Sequence, residues 1–255
     1  MVNSLEANQF KQYVIEQANE GNLFPAKCLQ QMREYPVDVR TFVTSPKYLN
    51  EPDFWPTALD TLEELCNNGG NRSGSPYSEA VLCGSIGSGK SFLACAALAY
   101  EVYKLVCCYL EPQKLFGLSA KSDIVFTFQS PTQALSEKVG FTQFRNFILE
   151  AECFKGQFAP DHRKKRELRW KNGVVVRFLS GSENSALGMN VFGGLMDEVS
   201  YGAFIEDSKK AEDKDIYDQS RAQYRAIALR RKSRFEFGGQ LPGLLFLVSS
   251  PRTPE

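Results

Sequence analysis

Residues 84–91 read Gly-Ser-Ile-Gly-Ser-Gly-Lys-Ser and satisfy the pattern GxxxxGK[ST]. Glycines at this spacing let successive backbone N–H groups converge on a phosphate chain without clashes from Cβ atoms. The lysine of the pattern reaches the β- and γ-phosphates, and the hydroxyl after it sits on Mg²⁺. On this reading Gly84, Ser85, Gly87, Ser88, Gly89, Lys90 and Ser91 hold the phosphates of a nucleotide, with ATP and Mg²⁺ as cofactors.

A second set of groups lies farther along. Residues 191–196 are mostly apolar and end in Asp197 and Glu198. Two acids thus stand at the carboxyl end of a strand, the edge where open α/β sheets bind ligands. Asp197 is placed to hold Mg²⁺ beside Ser91, and Glu198 to orient and polarise an attacking water. Glu198, Lys90 and Asp197 are the expected catalytic set, with Ser91 and Asp197 on the metal side. Side chains alternate along a strand, so the adjacent acids are expected on different sides. Gly193 and Gly194 weaken the strand signal and point to a close backbone approach. Residues 244–248, all apolar, read as another strand that ends in Ser249 and Ser250. Hydroxyls there can report a γ-phosphate by hydrogen bonding to it, and serines at strand ends also simply form turns.

Positioning these groups requires a sheet that gathers its strand ends. Residues 80–83 form a short apolar strand before the glycine-rich loop, and residues 91–108 a helix apolar nearly all round apart from Glu101 and Lys104. A helix without a polar face packs inside, here against a sheet. Residues 124–128 read as a strand ending in Ser130, Pro131 and Thr132 before a helix from Gln133, and residues 168–170 and 174–178 flank a Lys171-Asn172-Gly173 hairpin turn. A long helix follows around residues 215–232. Strands alternating with helices give an α/β fold, a P-loop NTPase with a central, mostly parallel sheet flanked by helices. Ahead of it, residues 1–31 read as polar helix, residues 48–55 as an extended arm, residues 57–66 as a helix with Leu59, Leu62 and Leu65 on one face, and residues 67–75 as a flexible loop. The chain therefore divides into an N-terminal helical and extended arm, 1–56, and a core, 57–255, a size that suits one α/β domain.

Composition narrows the classes. A 43% hydrophobic and 24% charged balance is that of a globular chain. No apolar run approaches the roughly 20 residues of a membrane span, and the N-terminus lacks an export signal, so a soluble, non-exported protein is expected. Seven cysteines without a CxxC pair argue for a reducing compartment and against zinc, and with His162 as the single histidine there is no material for a Ser/His/Asp triad. The formal net charge is zero, so any nucleic-acid contact comes from local patches.

Beyond the two nucleotide motifs, three stretches resemble the large subunit of the viral terminases, the motors that package DNA into tailed-phage capsids. They are Tyr48-Leu49-Asn50 through Phe54-Trp55-Pro56, the run Ala186-Leu187-Gly188-Met189-Asn190 leading into residues 191–198, and Ser249-Ser250-Pro251. The last looks like the coupling motif that links hydrolysis to DNA movement in that family. The resemblance covers roughly residues 48–251 and implies the additional-strand, catalytic-glutamate type of P-loop fold. It also implies double-stranded DNA, a portal protein and a terminase small subunit as partners, a homo-oligomeric ring on the capsid, no membrane, and the host cell cytoplasm as location. Family members carry a nuclease after the motor; this chain reaches Glu255 shortly past the coupling motif, so no nuclease activity is expected of it. It departs from the family at the transition-state arginine: Ser85, Ile86 and Leu187 stand at the usual places, which leaves Arg145, Arg166 and Arg252 as candidates. The adenine-reading glutamine is also missing, with Thr57 and Ala58 in its position.

Two basic clusters, residues 162–166 and 230–234, are candidates for tracking DNA phosphates. Competing readings are a small-molecule kinase with the basic run 162–166 as its lid, another helicase-like P-loop NTPase, and a module that binds ATP without turning it over.

Overall fold

The computed structural model describes residues 4–66, 77–130, 140–179, 186, 188–202, 204–206, 216–237 and 240–251. The expected loop at 67–75, the start of a helix at Gln133, Leu187 and Arg252 lie outside them.

Among the described residues six strands form one sheet, in the order β1-β8-β5-β2-β4-β3. They are β1 (Glu79–Cys83), β2 (Ile124–Gln129), β3 (Glu167–Arg169), β4 (Val174–Phe178), β5 (Val191–Met196) and β8 (Leu245–Ser249). Every neighbouring pair is parallel except β3 with β4, the hairpin whose turn has Gly173 at φ +80°. β8, last in sequence, lies between the strand that enters the glycine-rich loop and the strand that ends in the two acids. This is the additional-strand arrangement, with all three strand ends at one edge.

Alternation along β8 divides the two faces. Phe246 and Val248 join the large core formed with α5 (Lys90–Tyr103), while Leu245 and Leu247 meet Ile227 and Tyr224 of α8 (Gln219–Phe235) on the other face. α5 is buried along residues 94–103 and runs into a π-helical turn, Lys104–Cys108. By length and composition the helix Lys90–Cys108 would suit a membrane, but 83% of its apolar window is buried inside the domain, where it is the central core helix. The two charged residues of this helix, Glu101 and Lys104, are buried with it as an ion pair at 2.6 Å.

Both glycines of β5 are required by backbone proximity. A Cβ on Gly193 would lie 2.5 Å from the Leu244 carbonyl oxygen, and one on Gly194 2.1 Å from that of Thr127. The register slips between Val125 and Phe126 as β2 pairs with β5, and only residues without side chains fit that irregularity.

The N-terminal part packs into the same core. α1 (Ser4–Asn19) and α2 (Phe24–Gln31) precede α3 (Val39–Thr44), whose Phe42 stacks on Tyr103 of α5 with ring centroids 5.0 Å apart. Residues 48–55 are not extended as expected. Turns fill them, Asn50 takes φ 57°, and its N–H bonds back to Ser45, so Tyr48, Leu49 and Phe54 can all turn inward. α4 (Pro56–Cys66) buries Leu59, Leu62 and Cys66, with Leu65 only partly covered. A short α6 (Pro112–Leu115) and α7 (Gly140–Glu150) complete the helices on this side. The long helix expected from about 215 begins only at Gln219, because residues 216–218 pair as β7 (Ile216–Asp218) with β6 (Phe204–Glu206); Asp218 then caps α8 by accepting from the Arg221 N–H.

Candidate nucleotide site

The glycine-rich loop leaves β1 at Cys83 and is held at once to the next strand, since the Gly84 N–H donates to the Ser249 carbonyl at 3.4 Å. Gly87 and Gly89 take φ +80° and +78°, left-handed values that a side chain would oppose. Gly89 is the N-cap of α5, so the positive end of that helix dipole faces the loop. A Cβ on Gly89 would lie 2.5 Å from the Trp55 ring, which seats the Trp-Pro segment on the outside of the loop.

Lys90 curls over the loop. Its Nζ donates to the Gly84 and Ser85 carbonyls at 2.9 and 2.6 Å and lies 3.3 Å from Ser88 Oγ and 3.4 Å from Ser250 Oγ. Ser91 Oγ lies 3.2 Å from both oxygens of Asp197, which also accepts from the Glu198 N–H at 3.1 Å. Asp197 is 8% exposed, and burial pushes its carboxyl above the ordinary range against the opposing pull of Ser91, the Glu198 N–H and Lys90. Glu198 is also raised, first by burial and then by the Asp197 charge, with Lys90 and the Ser250 backbone acting the other way.

The expectation that the two acids point to different sides is wrong. Glu198 has φ 54° and ψ 41°, the left-handed region that a residue with a side chain rarely enters. That reversal brings its carboxylate into the same cavity as Asp197. Glu198 Oε2 is shielded from solvent and has no hydrogen-bond partner among the described residues, which leaves an acceptor free for a water or a hydroxyl.

The two serines at the end of β8 diverge. Ser250 lines the cavity beside Lys90, whereas Ser249 Oγ accepts from the Ser200 N–H at 3.1 Å and donates to the Ser250 carbonyl at 3.2 Å. Ser250 therefore faces the phosphate position, and Ser249 holds the turn that carries Glu198.

The cavity is about 370 Å³ and is bounded by the loop, Ser91, Asp197, Glu198 and Ser250, with Ser130 and Gln143 opposite. Sequence reasoning missed those last two; Gln143 belongs to α7, which packs against α5, and no local pattern marks it. The structure does not bring the candidate arginines here. Arg145 donates to the His162 carbonyl at 2.8 Å, Arg166 lies 5.9 Å from the Phe178 ring, and among the described residues no arginine lines the cavity. A second cavity of about 590 Å³ adjoins the first across the loop, lined by Trp55, Ala58, Thr61, Val81 and Leu93 among others.

The residues fit a magnesium nucleotide. Ser91 and Asp197 supply hard oxygen donors, and among the described residues no cluster of three or more His, Cys, Asp or Glu side chains could cage a metal. A site with few protein oxygens suits Mg²⁺, which keeps waters and takes its remaining ligands from phosphates. The glycine backbone, the lysine and the unpartnered Glu198 oxygen complete the set.

A protein-family model described as "Uncharacterized protein MJ0330, N-terminal P-loop domain" matches residues 8–253. Among solved structures the fold is similar to that of the HK97 bacteriophage large terminase, with a TM-score of 0.51 and 14% sequence identity over 83% of this chain. The match takes in 37% of that terminase. Among curated proteins no relative matches the chain.

Proposed function

Because the chain belongs to the family of the MJ0330 N-terminal P-loop domain, we propose that it is an ATPase motor domain of the phage-terminase type, which hydrolyses ATP with Mg²⁺ to move double-stranded DNA into a procapsid. The observation that carries this reading is the convergence of Lys90, Ser91, Asp197, Glu198 and Ser250 on one cavity, with β8 between the strands that supply the others.

In this reading the loop amides and Lys90 bind the phosphates, and Lys90 moves from the Gly84 and Ser85 carbonyls to the β- and γ-phosphate oxygens. Ser91 and Asp197 hold Mg²⁺, which neutralises charge on the phosphates when bound. Glu198, with its free oxygen in the cavity, orients the attacking water and accepts its proton. The cavity of Trp55 and Ala58 receives the base and sugar, where packing replaces the missing glutamine. Double-stranded DNA, a portal protein, a small subunit and further copies of the chain in a ring are the partners, and the host cell cytoplasm is where the motor works. The transition-state arginine comes from outside the described cavity wall.

Glu198→Gln tests it. The expected result is retained ATP binding with turnover lowered by about 10² to 10⁴. Turnover within a fewfold of wild type would overturn the hydrolase reading and favour a kinase.

A further inference from the structure

α8 holds six basic residues, Arg221, Arg225, Arg230, Arg231, Lys232 and Arg234, and no acidic one, in a chain whose net charge is zero. Its inward stripe is Gln223, Ile227, Arg231 and Phe235, all buried at four-residue spacing. Arg231 is spent on the fold: it donates to the carbonyls of Phe192, Ser78 and Gly243 at 3.1, 2.7 and 3.1 Å. The others lie off that stripe. Arg221, Arg225 and Lys232 fall along one line of the helix, about 16 Å from first to last at 1.5 Å per residue, and Arg230 and Arg234 flank the other side. The charged ends of Arg221, Arg230, Lys232 and Arg234 make no ion pair with any described residue.

Helix stability does not explain this pattern. Lys232 and Arg234 in the last turn complement the macrodipole, but Arg221 in the first turn opposes it. In the other basic cluster three of the four Lys and Arg side chains already have local partners. Arg163 forms a fork with Asp161 at 2.5 to 3.2 Å, Lys164 lies 3.4 Å from Glu167, and Arg166 lies over Phe178.

We propose that the solvent face of α8 is the surface that docks the phosphate backbone of double-stranded DNA. DNA carries one negative charge per about 1.7 Å of axis, so a line of cations about 16 Å long meets a continuous row of partners. The face is also joined to the catalytic turn: Ser220, at the start of α8, donates to the Val199 carbonyl at 2.8 Å, one residue after Glu198. A load on α8 therefore bears directly on the turn that sets the Glu198 carboxylate. The inference rests on the reading of the chain as a DNA-moving motor, and its test separates the two.

The test measures binding of a labelled double-stranded DNA of random sequence by fluorescence anisotropy, from about 50 to 200 mM salt, beside turnover with and without that DNA. The variants are Arg221→Gln/Lys232→Gln/Arg234→Gln and, as a charge-matched control, Lys164→Gln/Lys165→Gln/Arg166→Gln. The α8 variant is expected to lose about tenfold or more in affinity, to lower the log–log salt slope by about 3, to lose DNA stimulation and to keep basal turnover and melting temperature. The control is expected to bind within about twofold of wild type. The proposal is overturned if the control loses as much as the α8 variant, if the α8 variant binds like wild type, or if wild type prefers single-stranded RNA or anionic vesicles to this DNA. Absence of turnover in wild type would count against the motor reading, while the anisotropy would still decide the α8 surface.

Discussion

Ser249 joins two segments of the nucleotide site: its carbonyl accepts from the Gly84 N–H at 3.4 Å and its hydroxyl accepts from the Ser200 N–H at 3.1 Å. One residue at the end of β8 thus anchors the start of the phosphate loop and the turn that carries Glu198. Ser250, next to it, approaches Lys90 Nζ at 3.4 Å. In the proposed mechanism a phosphate beside Ser250 would thus lie one residue away from the support of the Glu198 turn.

Ser249→Ala removes the side-chain anchor and leaves the backbone one. Turnover is expected to fall about tenfold, as the loss of one hydrogen bond of about 1.4 kcal/mol would give, with nucleotide affinity nearly unchanged. Ser249→Thr keeps the hydroxyl and should keep most activity. Equal losses in affinity and turnover, measured by steady-state kinetics and nucleotide titration, would contradict this role.

Burial raises the carboxyls of both Asp197 and Glu198. In the proposed mechanism hydrolysis requires Glu198 ionised, so the acid limb of kcat/KM, which reports the nucleotide-free protein, should lie above the ordinary glutamate value of about 4.3. For stability the sign is reversed from the usual salt-bridged acid. A raised folded-state pKa means that ionisation costs the fold, and that this cost is relieved as pH falls through the raised value. Asp197→Asn should accordingly leave the melting temperature of the nucleotide-free protein at pH 7 no lower than wild type, while Mg²⁺-dependent nucleotide binding is lost. An acid limb at the ordinary position, from a pH–rate profile, would count against the burial argument.

Arg231 is fully buried, and burial pulls its guanidinium down to about 10, so it remains charged at neutral pH. Arg231→Met leaves three buried carbonyls without their donor, and a loss of about 3 to 5 kcal/mol in urea unfolding is expected. A loss below about 1 kcal/mol would show that α8 is held mainly by its apolar contacts.

Gly89→Ala places a Cβ 2.5 Å from the Trp55 ring at a φ of +78°. Nucleotide affinity should drop by about tenfold or more. Adding Trp55→Ala relieves the overlap but not the left-handed backbone, which costs about 1 to 2 kcal/mol by itself. The double variant should therefore recover only part of the affinity, and full recovery in a nucleotide titration would show that the ring contact was the whole effect.

The glycine-rich loop was legible because its function depends on residue types at fixed local spacing between a strand and a helix. β5 was legible in the same way, including its two glycines, whose absent side chains match contacts at 2.1 and 2.5 Å. The Trp-Pro segment was read as the end of an extended arm and tied to the nucleotide site only through a resemblance, and the structure seats Trp55 against Gly89. The small hairpin of β6 and β7 was not legible, because three-residue strands carry too little periodicity to stand out from the start of α8. Gln143 and Ser130 escaped notice for a different reason: they share the cavity with Glu198 only through the packing of α7 and β2 beside β5.

By itself the sequence determined a strand, a phosphate-gripping turn, a buried helix and an acid-tipped strand, since each is set by patterns a few residues long. Tertiary structure decided that β8 enters between the loop strand and the acid strand, that Glu198 adopts a left-handed turn into the cavity of Asp197, and that Arg231 is core while its neighbours are surface. These depend on which distant segments pair and which face of a helix is covered, and such pairings are chosen by the packing of the whole core rather than by local spacing.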